Sequence, residues 1–530
     1  MAKVFSREAT GLIREVGFLD AFLLNLAVVN IAGGLAYDIL QLFFFPGASL
    51  PLVFLLGGIP AFGIFLVYTS LSIIFPRTGG DYVYISRIVH PTAGMANAWL
   101  NILGFFLFTL TGFNAWYVVY TGLPSLLTSL AVSTGDMGYA RIASFIQTNI
   151  TFDFALSTIV LIIGACIVMF GLKVFKWAFR LIFVYYFLSA ALLAALLLVT
   201  NHTMFINAIG KDTYSHVISS ASQMGVYRFS LTETLLAAVP LGFLTFTGFQ
   251  SSVYIGSEVK NVKRNQTLAL GVSMLLTWVY LVVLAYAASN IFSNSFLQAA
   301  SYLWATNPSA MPFSATPFIT FLLSIIYRNP AIAFLLNSVP VVGGFLLIPS
   351  TILASSRILF ALSFDRILPE WVSHVNERLR SPVYSVILMM VIAEIWVVVL
   401  YFFGYISTWL SLSLATPLAW SITAIAAIVL PFSKLKSNMQ VLPRWLRAKP
   451  LGVPVMVWGG VIQLAGMIAW LASMFSPIIN YLYLGPLIYS AIGVSAGIIV
   501  LSLGLYYGAL LYRRRQGFDL SLVFREIPPE

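Results

Sequence analysis

The sequence predicts an all-α membrane protein with about twelve transmembrane helices, and three observations lead to this prediction. Of the 530 residues, 60% are hydrophobic and only 8% are charged, and the mean hydropathy is +0.95. A soluble domain carries about 25% charged residues, so most of this chain must be solvated by lipid. The third observation is that Lys and Arg residues alternate between the two sides of the membrane in step with the apolar stretches.

Twelve stretches are apolar over the roughly 20 residues that a helix needs to cross a bilayer. We number them spans 1 to 12, at approximately 18–45, 50–75, 97–122, 153–172, 181–200, 233–256, 267–292, 331–355, 382–403, 406–432, 454–475 and 484–512. Residues 293–330 also contain an apolar segment, but Pro308, Pro312 and Pro317 lie in or beside it. Because proline disrupts helices, we interpret this region as a long loop with short helices.

The basic residues predict the orientation of the chain. With the N-terminus in the cytoplasm, all but four of the 28 Lys and Arg residues fall inside; the exceptions are Arg141, Lys211, Arg228 and Arg328. Cytoplasmic loops carry such an excess, so we expect both termini in the cytoplasm and the protein in the cell membrane. The net charge of +11 needs no nucleic-acid partner, because these charges lie in short loops beside anionic lipid.

Composition also argues against several functional classes. No polar stretch is long enough to bury its own core, so residues 1–530 are expected to form one transmembrane domain. The four histidines are dispersed and Cys166 is the one cysteine, so the sequence predicts neither a metal centre nor a disulfide. No His-Glu-x-x-His motif or phosphate-binding P-loop is present, which disfavours an enzyme, an ATP-driven pump and a bound cofactor.

Two spans carry glycine beside small or hydrogen-bonding residues near mid-membrane. Span 1 contains Asn30-Ile31-Ala32-Gly33-Gly34, and span 6 contains Phe246-Thr247-Gly248-Phe249-Gln250. Glycine weakens a helix by about 1 kcal/mol relative to alanine. A helix broken at this depth exposes amides that attract anions and carbonyls that attract cations, and it is tolerated only around a polar cavity. For either span alone, the alternative is a close helix crossing lined by small residues.

The positions of the two interruptions favour a binding site over close packing. They fall five spans apart, and because five is odd, the second set of spans must begin on the opposite side of the membrane. We therefore expect a five-plus-five inverted repeat (about 15–200 and 231–432), with discontinuous helices 1 and 6 and two extra C-terminal helices (about 454–512). Secondary transporters with this architecture bind substrate at the repeat interface.

Four segments, in order, resemble the amino acid–polyamine–organocation permeases. They are the glycine-rich opening at Asn30–Leu35, the Pro-x-x-Gly-Gly-x-Tyr-x-Tyr signature at Pro76–Tyr84, Phe-x-Gly-Phe at Phe246–Phe249 followed by Glu-x-Lys-Asn at Glu258–Asn261, and Ser-Arg-x-Leu-x-Ala at Ser356–Ala361. The resemblance covers roughly residues 15–475. The opening departs from the usual Gly-x-Gly, and Gln250 stands where members often have a carboxylate, so a proton-handling role is not carried over to it.

The resemblance implies a permease that moves amino acids or related amines by alternating access. The substrate carboxylate would bind at the segment from Asn30 and Ile31 through Ala32 and Gly33 to Gly34. Its amino group would meet carbonyls near Phe246, Thr247 and Gly248, and Phe246 or Phe249 would close over it, with Gln250 alongside. A polyamine or organic-cation transporter of the same fold, and an amino-acid sensor without transport, are the alternatives.

Either Na⁺ or H⁺ fits as the coupling ion, and exchange is a further option. Ser350 and Thr351 in span 8 resemble the hydroxyl pair that binds sodium in related five-plus-five transporters, although helical hydroxyls also bond back to the preceding turn. Asp38 would attract a cationic substrate or carry a proton, unless it snorkels to the interface.

We interpret Glu394 as a structural hydrogen-bond partner, and Glu258 as part of a surface ion pair contributing about 0–1 kcal/mol.

Overall fold

The computed structural model describes residues 12–222, 229–313, 315–403, 414–475 and 487–525. Within these ranges the chain is helical, with three isolated β-bridges and no strand. Eleven of the described helices are long and apolar enough to cross a membrane, and a shorter apolar helical segment lies where span 6 was predicted. The prediction of an all-α membrane protein is therefore confirmed.

The membrane-crossing segments lie close to the predicted spans, whose numbers we keep. They are Phe18–Phe44, Leu50–Ile74, Pro91–Thr134, Ile150–Met169, Leu172–Val199, Leu231–Phe246, Val262–Phe292, Pro330–Phe364, Val383–Phe403, Ala415–Phe432, Val455–Met474 and Tyr489–Arg515. The predicted starts of span 10 (406–413) and span 12 (484–486) lie outside the described residues.

Span 3 differs most from its prediction. It runs for 44 residues from Pro91 to Thr134, and its centre is π-helical over Leu100–Gly112 and again over Val118–Gly122. π-Helical turns are rare and frequently occur at functional sites. The predicted bounds of spans 3 and 4 leave residues 123–152 as a connecting loop, but span 3 and a further helix at Met137–Thr148 occupy most of this region.

The connection between spans 7 and 8 contains short helices, as predicted. They are Asn294–Thr306, Pro308–Ala310 and Ile319–Tyr327. The polar segment after span 5 likewise forms two short helices, His202–Ile209 and Lys211–Ser222.

One sequence pattern in span 12 has no catalytic context. Residues 493–497 read Gly-Val-Ser-Ala-Gly and match the Gly-x-Ser-x-Gly pattern of serine hydrolases. That nucleophile requires a sharp turn between a strand and a helix, whereas these residues lie inside the continuous helix Leu487–Arg515. The match therefore does not indicate a catalytic serine.

Candidate functional site

The interruption of span 1 is a single residue, Asn30. One helix ends at Val29 and the next begins at Ile31, and Asn30 between them has left-handed backbone angles, φ 51° and ψ 50°. Asparagine tolerates this conformation better than most non-glycine residues. The break was predicted at Ile31–Gly34, and this position is wrong, because Gly33 and Gly34 lie inside the second helix.

Gly33 and Gly34 are needed because other groups approach them closely. A β-carbon on Gly33 would lie 2.5 Å from Asn30 Oδ1, and one on Gly34 would lie 2.8 Å from Thr245 Cγ2 in span 6. The Asn30 side chain also lies against Gly343 of span 8. The two glycines therefore accommodate the Asn30 side chain and the neighbouring span.

The amide groups exposed at this break are capped by a tyrosine from span 5. The backbone N–H groups of Ala32 and Gly33 donate to Tyr186 Oη at 3.0 and 3.4 Å, and this hydroxyl donates to Asn30 Oδ1 at 2.8 Å. Tyr186 is buried. Sequence reasoning missed it, since one of 25 tyrosines in an apolar helix carries no distinguishing signal.

Span 6 is interrupted at Thr247 and Gly248. Thr247 is extended, Gly248 has φ +105°, and a short 3₁₀ helix follows at Ser251–Tyr254. A side chain at Gly248 would be strained by this φ and would collide with Val28 of span 1. The Gly248 amide donates to Gln250 Oε1 at 3.1 Å, so the Gln250 side chain folds back onto the break.

A cavity of about 120 Å³ lies where the two interruptions meet. Its lining comes from spans 1, 3, 6 and 8 and is formed by Val28, Val29, Asn30, Gly33, Gly34, Tyr37, Asp38, Gln41, Thr109, Leu110, Phe113, Asn114, Tyr117, Leu244, Thr245, Thr247 and Leu347. One water needs only about 10–15 Å³ measured in the same way, so the cavity has room for a small organic molecule.

The cavity contains some of the predicted site residues and not others. Asn30, Gly33, Gly34, Thr247 and Asp38 line it. Eight predicted residues are absent from the lining, namely Ile31, Ala32, Phe246, Gly248, Phe249, Gln250, Ser350 and Thr351. Phe246 and Phe249 are fully buried in the hydrophobic core, so neither covers the cavity as a lid in this conformation.

Asp38 lies in the cavity wall one turn beyond Gly34. Thr245 donates to its Oδ2 at 2.8 Å and Gln41 donates to its Oδ1 at 3.2 Å. The residue is only 3% exposed. The alternative that Asp38 snorkels to the membrane surface is therefore wrong.

Ser350 and Thr351 are buried and bonded within their own helix. Ser350 donates to the Leu346 carbonyl at 2.7 Å and Thr351 to the Leu347 carbonyl at 2.7 Å. The Thr351 hydroxyl also lies 2.7 Å from that of Thr111 in span 3. This is the local bonding expected of helical hydroxyls, and a sodium site at Ser350 and Thr351 stays a prediction.

Glu258 forms a buried ion pair, not a surface one as predicted. Arg357 of span 8 donates to its two carboxylate oxygens at 2.8 and 3.3 Å, and both side chains are at most 2% exposed. The Glu258 carbonyl accepts bonds from the amides of Glu15 and Val16, just before span 1. One residue thus joins span 8, the segment after the span 6 break and the segment before span 1.

A second buried ion pair joins Arg87 and Asp365. Arg87 lies 2.8 Å from the Asp365 carboxylate, and Tyr82 donates to the same carboxylate at 2.7 Å. Tyr82 lies in the Pro-x-x-Gly-Gly-x-Tyr-x-Tyr signature and Arg87 follows it, and both bind Asp365 at the end of span 8. Glu394 accepts a hydrogen bond from Thr158 at 2.6 Å, and its structural role stays a prediction.

Asp81 is a buried carboxylate held by neutral donors alone among the described residues. Its Oδ2 accepts bonds from Tyr68 at 2.8 Å, Tyr254 at 3.1 Å and Asn101 at 3.3 Å. Burial raises the pKa of Asp81 from 3.8 to about 6, although these hydrogen bonds oppose the rise. The carboxylate joins spans 2 and 3 to the segment after the span 6 break.

Asp81→Asn is expected to remove part of the pH dependence of stability. A raised pKa means that the folded state binds the proton more tightly than the unfolded chain does, so stability falls as pH rises through about 6. The melting temperature of the native protein should therefore increase as pH is lowered from about 7 to 5, and the variant should show a smaller increase. The exposed Asp212→Asn variant is the control, and equal slopes for both variants would contradict the assignment.

Comparison with known proteins identifies the family of this chain. The family model described as amino acid permease matches residues 16–497. An uncharacterized protein of Sulfolobus islandicus rod-shaped virus 1 is 22% identical over 385 residues, which are 72% of this chain and 71% of the viral protein.

Two further relatives match shorter stretches. An uncharacterized amino-acid permease of Schizosaccharomyces pombe is 26% identical over 189 residues, 34% of this chain and 29% of that protein. Cationic amino acid transporter 3, mitochondrial, of Arabidopsis thaliana is 26% identical over 194 residues, 36% of this chain and 28% of that protein. The family model covers nearly the whole chain, which confirms the predicted resemblance. The chain is an integral, multi-pass membrane protein and belongs to the amino acid permease family.

Proposed function

We propose that the protein is a secondary active transporter that moves amino acids or related amines across the membrane by alternating access. The observation that carries this proposal is the cavity at the meeting point of the breaks in spans 1 and 6. Discontinuous helices paired in this way supply partial charges at mid-membrane without ionised side chains. The family match and the names of two relatives support amino acids as the substrate class.

The substrate carboxylate and amino group are assigned to opposite sides of the cavity. The carboxylate would accept bonds from amides in the Ile31–Gly34 turn, where Tyr186 now occupies those of Ala32 and Gly33. The Tyr186 hydroxyl would therefore move aside or donate to the bound carboxylate. The amino group would meet carbonyls around Phe246, Thr247 and Gly248, with Thr247 in the cavity wall.

Transport is proposed to be coupled to H⁺ or Na⁺, or to proceed by exchange, in a cell membrane with both termini in the cytoplasm. The positive-inside distribution of Lys and Arg supports this orientation. In this orientation, the Glu258–Arg357 pair and the Asp81 carboxylate with its hydrogen-bond donors would lie on the cytoplasmic side of the breaks. These contacts would separate when the cavity opens inward.

Reconstitution tests the proposal. Proteoliposomes should accumulate at least one labelled compound from a panel of neutral, acidic and basic amino acids and polyamines. An imposed sodium gradient, an imposed proton gradient, or internal unlabelled substrate without a gradient identifies the driving force. Absence of specific uptake under all three conditions, from protein that is monodisperse and cooperatively folded, would contradict transport. If only the proton gradient drives flux, sodium coupling at Ser350 and Thr351 is excluded.

A further inference from the structure

We propose that Asp38 binds a positively charged group of the substrate, so that the transporter selects basic amino acids or amines of net positive charge. This inference rests on the proposed transport function and adds the substrate class. Its basis is the charge, the hydrogen bonding and the aromatic surroundings of one carboxylate in the cavity wall.

The charge of the cavity is unbalanced. Among the described residues, Asp38 is the one acidic side chain in its lining, and no Lys, Arg or His contributes to it. A buried carboxylate without a counter-charge is costly, and proteins normally place a cation beside it or protonate it. A cationic substrate would supply that counter-charge at the moment of binding.

Buried acids in the described ranges fall into two groups: Asp81 and Asp153 accept bonds from neutral donors, whereas two others have an arginine partner. Glu258 is paired with Arg357 and Asp365 with Arg87, both at 2.8 Å. Asp38 belongs to the first group, since it accepts bonds from Thr245 and Gln41, and it is the acid that lines the cavity. A carboxylate has about four acceptor positions, so two neutral donors leave capacity for an ammonium or guanidinium group.

Three aromatic rings line the cavity together with Asp38, namely Tyr37, Phe113 and Tyr117. Tyr117 lies edge-on to Tyr37, with ring centroids 5.5 Å apart, and is nearly parallel to Phe113 at 6.0 Å. Aromatic faces attract cations, most strongly when water is excluded. The Tyr117 hydroxyl is buried and has no hydrogen-bond partner among the described groups, so it offers a further polar contact to a ligand.

The backbone amides near Asn30 have less free hydrogen-bonding capacity for a substrate anion than Asp38 has for a substrate cation. Tyr186 already occupies the amides of Ala32 and Gly33, and the amide of Gly34 bonds to the Asn30 carbonyl at 2.7 Å. A substrate carboxylate must therefore compete with existing hydrogen bonds. A substrate cation meets a carboxylate whose charge no described group of the cavity lining neutralises.

Uptake by the native protein and by Asp38→Asn tests the inference, with L-arginine, putrescine and L-leucine as labelled probes in proteoliposomes. We expect the native protein to take up L-arginine or putrescine in preference to L-leucine. Asp38→Asn should reduce uptake of the preferred cation by roughly 10- to 100-fold, as expected for loss of a charge-assisted contact. Uptake of L-leucine should fall by a smaller factor, because its binding does not use the charge of Asp38, so the ratio of cation uptake to L-leucine uptake should drop.

The matched control is Asp153→Asn, which alters a buried acid of span 4 that accepts a bond from Tyr401 outside the cavity. It should retain the native selectivity. Preference of the native protein for L-leucine would overturn the inference but leave transport standing, whereas no uptake of any probe would contradict transport itself. If Asp38→Asn abolishes proton-driven accumulation of every probe equally and spares exchange, Asp38 carries the coupling proton, and the inference is also overturned.

Discussion

Gly33→Leu is expected to abolish substrate uptake while the protein remains folded. Asn30 holds the span 1 break open in a left-handed conformation, and its side chain lies against Gly33 and Gly343. A leucine at Gly33 would start 2.5 Å from Asn30 Oδ1 and displace that side chain. The bond from Tyr186 to Asn30 would break, and the cavity wall would be rebuilt with extra volume.

Uptake and thermal stability of the same preparation separate loss of function from misfolding. Overpacking costs about 1–3 kcal/mol, which lowers the melting temperature without preventing folding. Gly34→Val provides a second variant, because its side chain would enter the cavity beside Thr245. The control is Gly497→Leu in span 12, where a β-carbon meets no atom within 4 Å. Native-like uptake by folded Gly33→Leu and Gly34→Val proteins would show that the substrate does not bind at the span 1 break.

Arg357→Met should lower the stability of the protein far more than substitution of an exposed arginine. It leaves the Glu258 carboxylate buried without its guanidinium partner, in a position that is 2% exposed. Removing one partner of a buried pair typically costs about 3–5 kcal/mol, whereas replacing both partners with apolar groups costs much less. Arg357→Met combined with Glu258→Met should therefore be more stable than Arg357→Met alone.

Melting temperatures in detergent measure this difference. The control is Arg180→Met, since Arg180 is 46% exposed beside Asp20 and an exposed pair contributes about 0–1 kcal/mol. Equal losses for Arg357→Met and Arg180→Met would show that Glu258 is neutralised in some other way. No recovery in the double variant would mean that packing by the arginine, not its charge, stabilises this region.

Hydropathy and basic-residue placement predicted the membrane fold because the bilayer imposes length and polarity on every span. The extension of span 3 to Thr134 was missed, because the helix continues through residues 123–134, whose serines and threonines are typical of loops. The spans that contain the breaks were predicted from their glycines. The residue that breaks span 1 was not, because the conformation of Asn30 depends on Tyr186 of span 5 and Gly343 of span 8.

The environment of the charged residues was the least predictable part of the site. Glu258 and Arg357 are 99 positions apart, and nothing local indicates that they meet. The burial of Asp38 depends on Thr245, which span 6 brings to it from 207 positions away. Such contacts arise when span 6 and the segment after it pack against spans 1 and 8, so sequence reasoning identified Asp38 as a candidate but left its role open.

Alkylation of a cysteine placed in the cavity tests most directly whether the substrate binds between the broken helices. Cys166 is the one native cysteine, so Cys166→Ala gives a thiol-free background. On that background, Thr247→Cys and Asn114→Cys place a thiol in the cavity wall, and Ser144→Cys places one on an exposed helix. A transported substrate should slow alkylation of both cavity cysteines at least severalfold and leave Ser144→Cys unchanged. Equal alkylation rates with and without a transported substrate at both cavity positions would contradict a substrate site in this cavity.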